Sequence, residues 1–60
     1  METKVKEHSK GNIHTVGHYL PNRPFSDDTL IAEGIGSTIE SARDTARYGV
    51  KILTGFFPNN

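Results

Sequence analysis

The feature that most restricts what this chain can fold into is the stretch from Ala32 to Leu53, AEGIGSTIESARDTARYGVKIL. A strand-like lead-in reaches Gly34-Ile35-Gly36 and then passes into a helix-periodic segment. Ser37 followed three residues later by Glu40 has the form of a capping box, in which each side chain satisfies a backbone donor at the other position. At 100° per residue, Ile39, Ala42, Ala46, Gly49, Val50 and Leu53 fall within an arc of roughly 100°, the width of a core-facing stripe. Glu40, Arg43, Asp44, Arg47 and Lys51 fill a second arc beside it. Gly55 follows the last periodic residue and suits a C-cap. The spacing predicts a helix over 37–54. Its small residues Ala42, Ala46 and Gly49 would let it lie close on a sheet, and the paired glycines would permit a tight strand-to-helix bend.

The rest of the chain reads as three strands. METKVKEH could form a ragged edge strand over residues 4–8, and SKGN at 9–12 has the composition of a loop. Ile13 to Leu20, IHTVGHYL, is rich in β-branched and aromatic residues and reads as a strand over 13–20, with two faces too alike to tell which is buried. PNRPFSDD at 21–28 carries two prolines and an acidic pair, which predicts a turn or long hairpin loop. TLIAEG then supplies a strand over 29–34. The expected fold is α+β: a three-stranded antiparallel sheet followed by one C-terminal helix, in one partial domain. A helix of ~17 residues is ~25 Å long and ~10 Å wide, so it covers only part of a three-stranded face. A second helix is therefore expected from elsewhere.

Length and composition sharpen that expectation. A chain of 60 residues buries only ~60 % of the surface its unfolded form exposes, which leaves little margin for independent stability. Cysteine is absent, so neither disulfides nor a cysteine-rich zinc site can compensate. Net charge is zero with histidine neutral, yet it divides unevenly. Residues 1–26 carry four basic and two acidic side chains, and residues 27–60 carry three basic and five acidic ones. No run approaches ~18 apolar residues, so no segment reads as membrane-spanning. The N-terminus lacks the apolar core of a secretory signal.

The usual chemical sites are poorly supported. His14 and His18 stand four apart, a chelating interval on a helix, but on a strand that interval spans ~13 Å and cannot close on one zinc. His8 adds no recognisable ligand spacing. A dinucleotide fingerprint would need glycine at position 39, where isoleucine sits, and a βαβ unit for which there is no room. Asp27, Asp28 and Glu33 lie around a loop without a companion motif. No nucleophile–base–acid set can be assembled. The expectation is a non-enzyme without metal or other cofactor and without a small-molecule substrate. Cations carry more weight: Arg43, Arg47 and Lys51 recur at i, i+4 and i+8, partly neutralised by interleaved Glu40 and Asp44 through pairs such as Asp44–Arg47. Capped N–H groups at Ser37 and Thr38, with Arg43 one to two turns on, suit a phosphate backbone.

Strand, Gly-x-Gly, small polar residue and alanine-rich basic helix together resemble the C-terminal part of the double-stranded RNA-binding domain. Gly34, Gly36, Thr38, Ala42, Arg43 and Ala46 match that family's Gly-x-Gly-x-Ser-Lys-Lys-x-Ala-Lys-x-x-Ala pattern in register, and the likeness covers roughly residues 13–55. VGHYL, LIAEGIGSTIESARDTAR and Leu53-x-Gly55-Phe56 are closer to one branch, the ribonuclease III-like proteins of the mitochondrial large ribosomal subunit. The resemblance implies a mitochondrial, structural ribosomal component without nuclease activity. It also implies ribosomal RNA and other ribosomal proteins as partners, one of which supplies the missing first helix.

Departures from the pattern narrow what the resemblance implies. Ile39 and Glu40 replace the Lys-Lys pair, so only Arg43 remains of three phosphate-gripping cations. SKGN lacks the Gly-Pro-x-His signature, leaving Lys10 and Asn12 to contact RNA there. The implied RNA-binding set is Lys10, Asn12, Ser37, Thr38, Arg43 and Arg47. Val50, Leu53, Phe56 and Phe57 are expected to dock on the sheet or on a partner. The alternative is a protein–protein interaction module with the same fold and no RNA contact.

Overall fold

The computed structural model describes residues 2–20 and 28–59. Three strands precede one helix: β1 (Lys4–Lys10), β2 (Ile13–Leu20), β3 (Thr29–Gly36) and α1 (Ile39–Thr54). The strands form one antiparallel sheet in the order β1-β2-β3, with α1 laid over β3 and β2. The fold is α+β, with one helix on one face of a three-stranded sheet. The loop expected at 21–28 lies, as far as residue 27, outside the described residues. No helix among the described residues is long and apolar enough to cross a membrane.

The first connection is tighter than its composition suggests. Only Gly11 and Asn12 separate β1 from β2, and Gly11 takes φ 60. Positive φ at the first central residue alone is the signature of a type II′ hairpin turn, which a glycine enters without steric cost. The turn lets Ser9 pair with His14 and Lys10 with Ile13, so β1 runs to residue 10 rather than stopping at 8. From there the register is continuous to Lys4↔Tyr19. On the other side, His14↔Gly36 to His18↔Ala32 is regular, and the next pair is Tyr19↔Leu30. Ile31 is thus an extra residue, a β-bulge that bends β3.

Register also settles which face of β2 is inside. His14, Val16 and His18 face the helix together with Val5 and Glu7 of β1 and Ala32 and Gly34 of β3. Tyr19 lies on the opposite face, where its ring covers Gly17 and Lys6 Nζ stands 4.6 Å from its centroid.

The glycines act by clearance, not by turning. Neither Gly34 nor Gly36 has positive φ, and both belong to β3. A β carbon on Gly34 would run into the backbone of α1 at Ala42 O and Ala46 N. One on Gly36 would come within 2.7 Å of Ser41 Oγ and 2.8 Å of Ala42 N. The helix sits almost in backbone contact with the strand, and the small residues on each side make that approach possible. The expected hinge is a close-packing seam.

Because β3 keeps pairing as far as Gly36, the helix begins two residues later than expected. Thr38, extended at φ −129 and ψ 157, is the N-cap in place of Ser37, and its hydroxyl accepts from Ser41 N at 3.1 Å. Glu40 is then too near the cap to close a capping box and serves as the acidic residue of the first turn, where it complements the helix dipole. Gly55 ends the helix at φ 85 as a left-handed C-cap, its N–H reaching Lys51 O at 2.8 Å.

Buried residues follow one ridge, Ala42, Ala46 and Val50, with Thr54 half-buried beyond. An i,i+4 row drifts about 40° per step around the helix, so the sheet-facing direction turns toward Thr54 by the last turn. Leu53 is left off the flank of edge strand β3 and is 66 % exposed, and Phe56 is 69 % exposed. Of the four residues expected to dock on the sheet or on a partner, Val50 alone is buried on the sheet; Leu53 and Phe56 do not reach it, and Phe57 packs against the helix. Valine is the largest apolar side chain fully buried, each worth roughly 1.5–3 kcal/mol against exposure. Val5, Ile13, Leu30, Ile35, Tyr48 and Ile52 are among the large apolar residues left in water.

Candidate nucleic-acid interface

Topology gathers four of the expected contact residues at one end of the sheet. The β1–β2 turn carries Lys10 and Asn12. His14, next but one to that turn, pairs with Gly36, so Ser37 and Thr38 leave β3 at the same end. All four are exposed. Lys10 makes no ion pair among the described residues. Ser9 Oγ and His14 Nδ1 are hydrogen-bonded at 2.6 Å beside the turn and tie the two strand ends together. A helix N-terminus offers unpaired N–H groups and about half a positive charge to an anion. Here part of that capacity is used internally, because Thr38 caps Ser41 N and Glu40 sits in the first turn.

Arg43 stays half-exposed yet reaches back to β1. Its Nε donates to Glu7 Oε2 at 2.7 Å and its Nη2 to Oε1 at 3.1 Å, a two-pronged pair between α1 and β1. The hydrogen bonds from Arg43 hold the Glu7 carboxyl below its ordinary pKa, and Glu7 in turn raises that of Arg43. The helical pair Asp44–Arg47 does not form, and among the described residues Arg43 is the α1 cation in an ion pair, with Glu7 of β1. At the far end of β1, Lys4 and Lys6 stand 3.1 and 3.7 Å from Asp28 Oδ2.

A groove of about 130 Å³ runs between α1 and β1. Val5, Val16 and His18 form its floor, and Glu7, Arg43 and Arg47 its walls. It exists because α1 reaches over β3 and β2 and leaves β1 uncovered. His18 is buried, and its Nδ1 is hydrogen-bonded to Thr3 Oγ1 at 2.6 Å. Burial, and then the charge of Arg47, lower its pKa and favour the neutral ring. Among the described residues no group of His, Asp or Glu side chains could hold a metal ion.

The second half of α1 carries a separate cluster. The Arg47 guanidinium lies 5.3 Å and Lys51 Nζ 5.5 Å from the centroid of the Phe57 ring. Tyr48 meets the same ring edge-on, 5.5 Å between centroids at 75°. The tail after Gly55 folds back to bring this about, with Lys51 Nζ also donating to Gly55 O at 3.0 Å and Pro58 buried. Arg47 therefore belongs to two surroundings, the groove wall and this ring.

Sequence reasoning overlooked Glu7 and the Tyr48–Phe57 pair. Glu7 and Arg43 are 36 positions apart, and only the strand register brings them together. Tyr48, opposite the buried ridge, and an aromatic just past the C-cap were a usable signal for the second. No family model matches the chain, and neither a curated protein nor a solved structure matches it significantly.

Proposed function

We propose that this chain is a structural RNA-binding component of a ribosome, of the mitochondrial large subunit, built as a double-stranded RNA-binding-domain-like module with reduced RNA affinity. The supporting observation is the convergence of the Lys10–Asn12 turn and the Ser37–Thr38 helix start at one end of the sheet. Phosphate groups there would meet a cation, an amide side chain and free helix N–H groups within one patch. Arg47 extends the positive face along α1, and Arg43 is partly withdrawn by Glu7. The groove over β1 takes a helix from a neighbouring ribosomal protein, which completes the inner layer.

The test is titration of the chain with blunt duplex RNA across a salt series. Weak binding with a log–log salt slope below about 3 is expected, because few phosphates are neutralised. Nanomolar affinity at physiological salt, or no salt-dependent binding, would contradict the reading. The second reading, a protein-interaction module without RNA contact, is favoured by the Glu7–Arg43 pair and the uncovered groove. Charge reversal at Lys10, which lies outside the groove, separates the two, since assembly into the particle suffers under the first reading and barely changes under the second.

A further inference from the structure

We infer that the second half of α1 and the folded-back tail form a stacking platform for an unpaired nucleotide, distinct from the duplex-contacting end of the sheet. The inference rests on the RNA reading above and extends it to single-stranded RNA. Three observations carry it. Arg47 and Lys51, four and eight residues on from the Arg43 that Glu7 neutralises, have no carboxylate within ion-pair distance among the described residues. Both instead converge on one aromatic ring, Phe57. That ring and its neighbour Tyr48 remain accessible, 40 % and 60 % exposed, although tail and helix are packed together.

Exposed rings beside uncompensated cations match the chemistry of a nucleotide. The planar base lies against an aromatic face, while its phosphate meets the guanidinium and ammonium groups. The rings are held in place before a ligand arrives, because the Gly55 cap and buried Pro58 fix the path of the tail. Asp44 precedes Tyr48 by one turn of α1, so its charge would turn phosphates away from that side and toward Arg47 and Lys51. An acidic segment of a protein is the other occupant such a surface could take. The pairing of rings with cations favours the nucleotide, whose stacking area and negative charge come in one unit.

The experiment compares three labelled RNAs by fluorescence anisotropy on the intact chain: a blunt duplex, the same duplex with a short adenosine overhang, and the duplex with an abasic overhang of equal length. The adenosine overhang is expected to tighten binding about tenfold over the blunt duplex. The abasic overhang, which has phosphates without bases, should recover only a minor part of that gain. Phe57→Leu keeps an apolar side chain without a ring and should bring the overhang-to-blunt ratio close to one. Blunt and adenosine-tailed duplexes binding equally would overturn the platform and leave the RNA reading standing, with the patch assigned to an acidic protein segment. An abasic gain equal to the adenosine gain would overturn stacking in the wild-type chain, whether or not the variant folds. Binding of no RNA at all would sink the platform together with the reading beneath it.

Discussion

Glu7 of β1 grips Arg43 of α1 through two hydrogen bonds, the shorter 2.7 Å, and these reach the one strand that the helix does not cover. The pair fastens β1 to the helix and at the same time withdraws a cation from any polyanion. Glu7→Gln should release Arg43. Under the RNA reading, duplex titrations would then show tighter binding and a salt slope steeper by about 0.9, one additional phosphate contact. An unchanged slope would mean that Arg43 never reaches the backbone. Thermal stability should fall only slightly, because the pair is solvent-exposed.

Gly34 offers a sharper test of the fold. Gly34→Ala places a methyl group against the α1 backbone at Ala42 and Ala46, where no side-chain rotation can relieve it. The expected loss is about 3 kcal/mol or more in urea unfolding, comparable with the whole stability of a domain this small, roughly 3–9 kcal/mol. Gly55→Ala, which only forces alanine into the left-handed region, should cost about 1 kcal/mol. A reversed ranking would contradict the packing seam.

Acid should weaken the domain through His18. Its folded pKa lies below the unfolded value of 6.5, so near that pH the unfolded chain takes up a proton that the folded chain refuses. The contribution is complete above 6.5 and is lost as pH falls through the lowered folded value. Melting temperatures from pH 8 downward should therefore begin to drop near 6.5. Arg47→Gln removes one cause of the shift and should make the drop shallower. A second loss, from Glu7, follows further down, beginning near its unfolded value of 4.5 as its carboxylate takes up a proton.

The groove can be tested without disturbing the core. Val5 is 37 % exposed on its floor, so Val5→Asp should change the stability of the isolated chain by less than about 1 kcal/mol. The same substitution should strongly reduce co-sedimentation with the assembled particle if a neighbouring helix docks there. Undiminished incorporation would leave the groove without that role.

Periodicity and turn chemistry made the order of elements legible, because three strand-like runs and one amphipathic segment each satisfy a local rule. Other features depend on distance in the chain rather than on local pattern. The Gly34–Gly36 pair reads locally as flexible backbone, and only the placement of α1 turns it into a clearance seam. Leu53 lies within the apolar arc by angle, yet the drift of the Ala42–Ala46–Val50 ridge carries it off the sheet. Thr38 displaces Ser37 as cap because strand pairing extends to Gly36, a tertiary effect on a one-residue choice. At the candidate site, the grouping of Lys10 and Asn12 with Ser37 and Thr38 follows from register. The Arg43 partner could not have been read from spacing at all.

The bare flank of β1 carries a consequence for how such a chain lives in a cell. The first strand is held by one ladder and by the ion pairs of Lys4 and Lys6 with Asp28 and of Glu7 with Arg43. No helix covers it, so it should peel away long before the helix leaves the other two strands. A helix laid across it would close that breach, which makes docking and consolidation a single event. Copies made in excess of their binding sites would then offer proteases a loosened strand at Lys4–Lys10, and supply would be trimmed to demand by degradation of the unassembled chain.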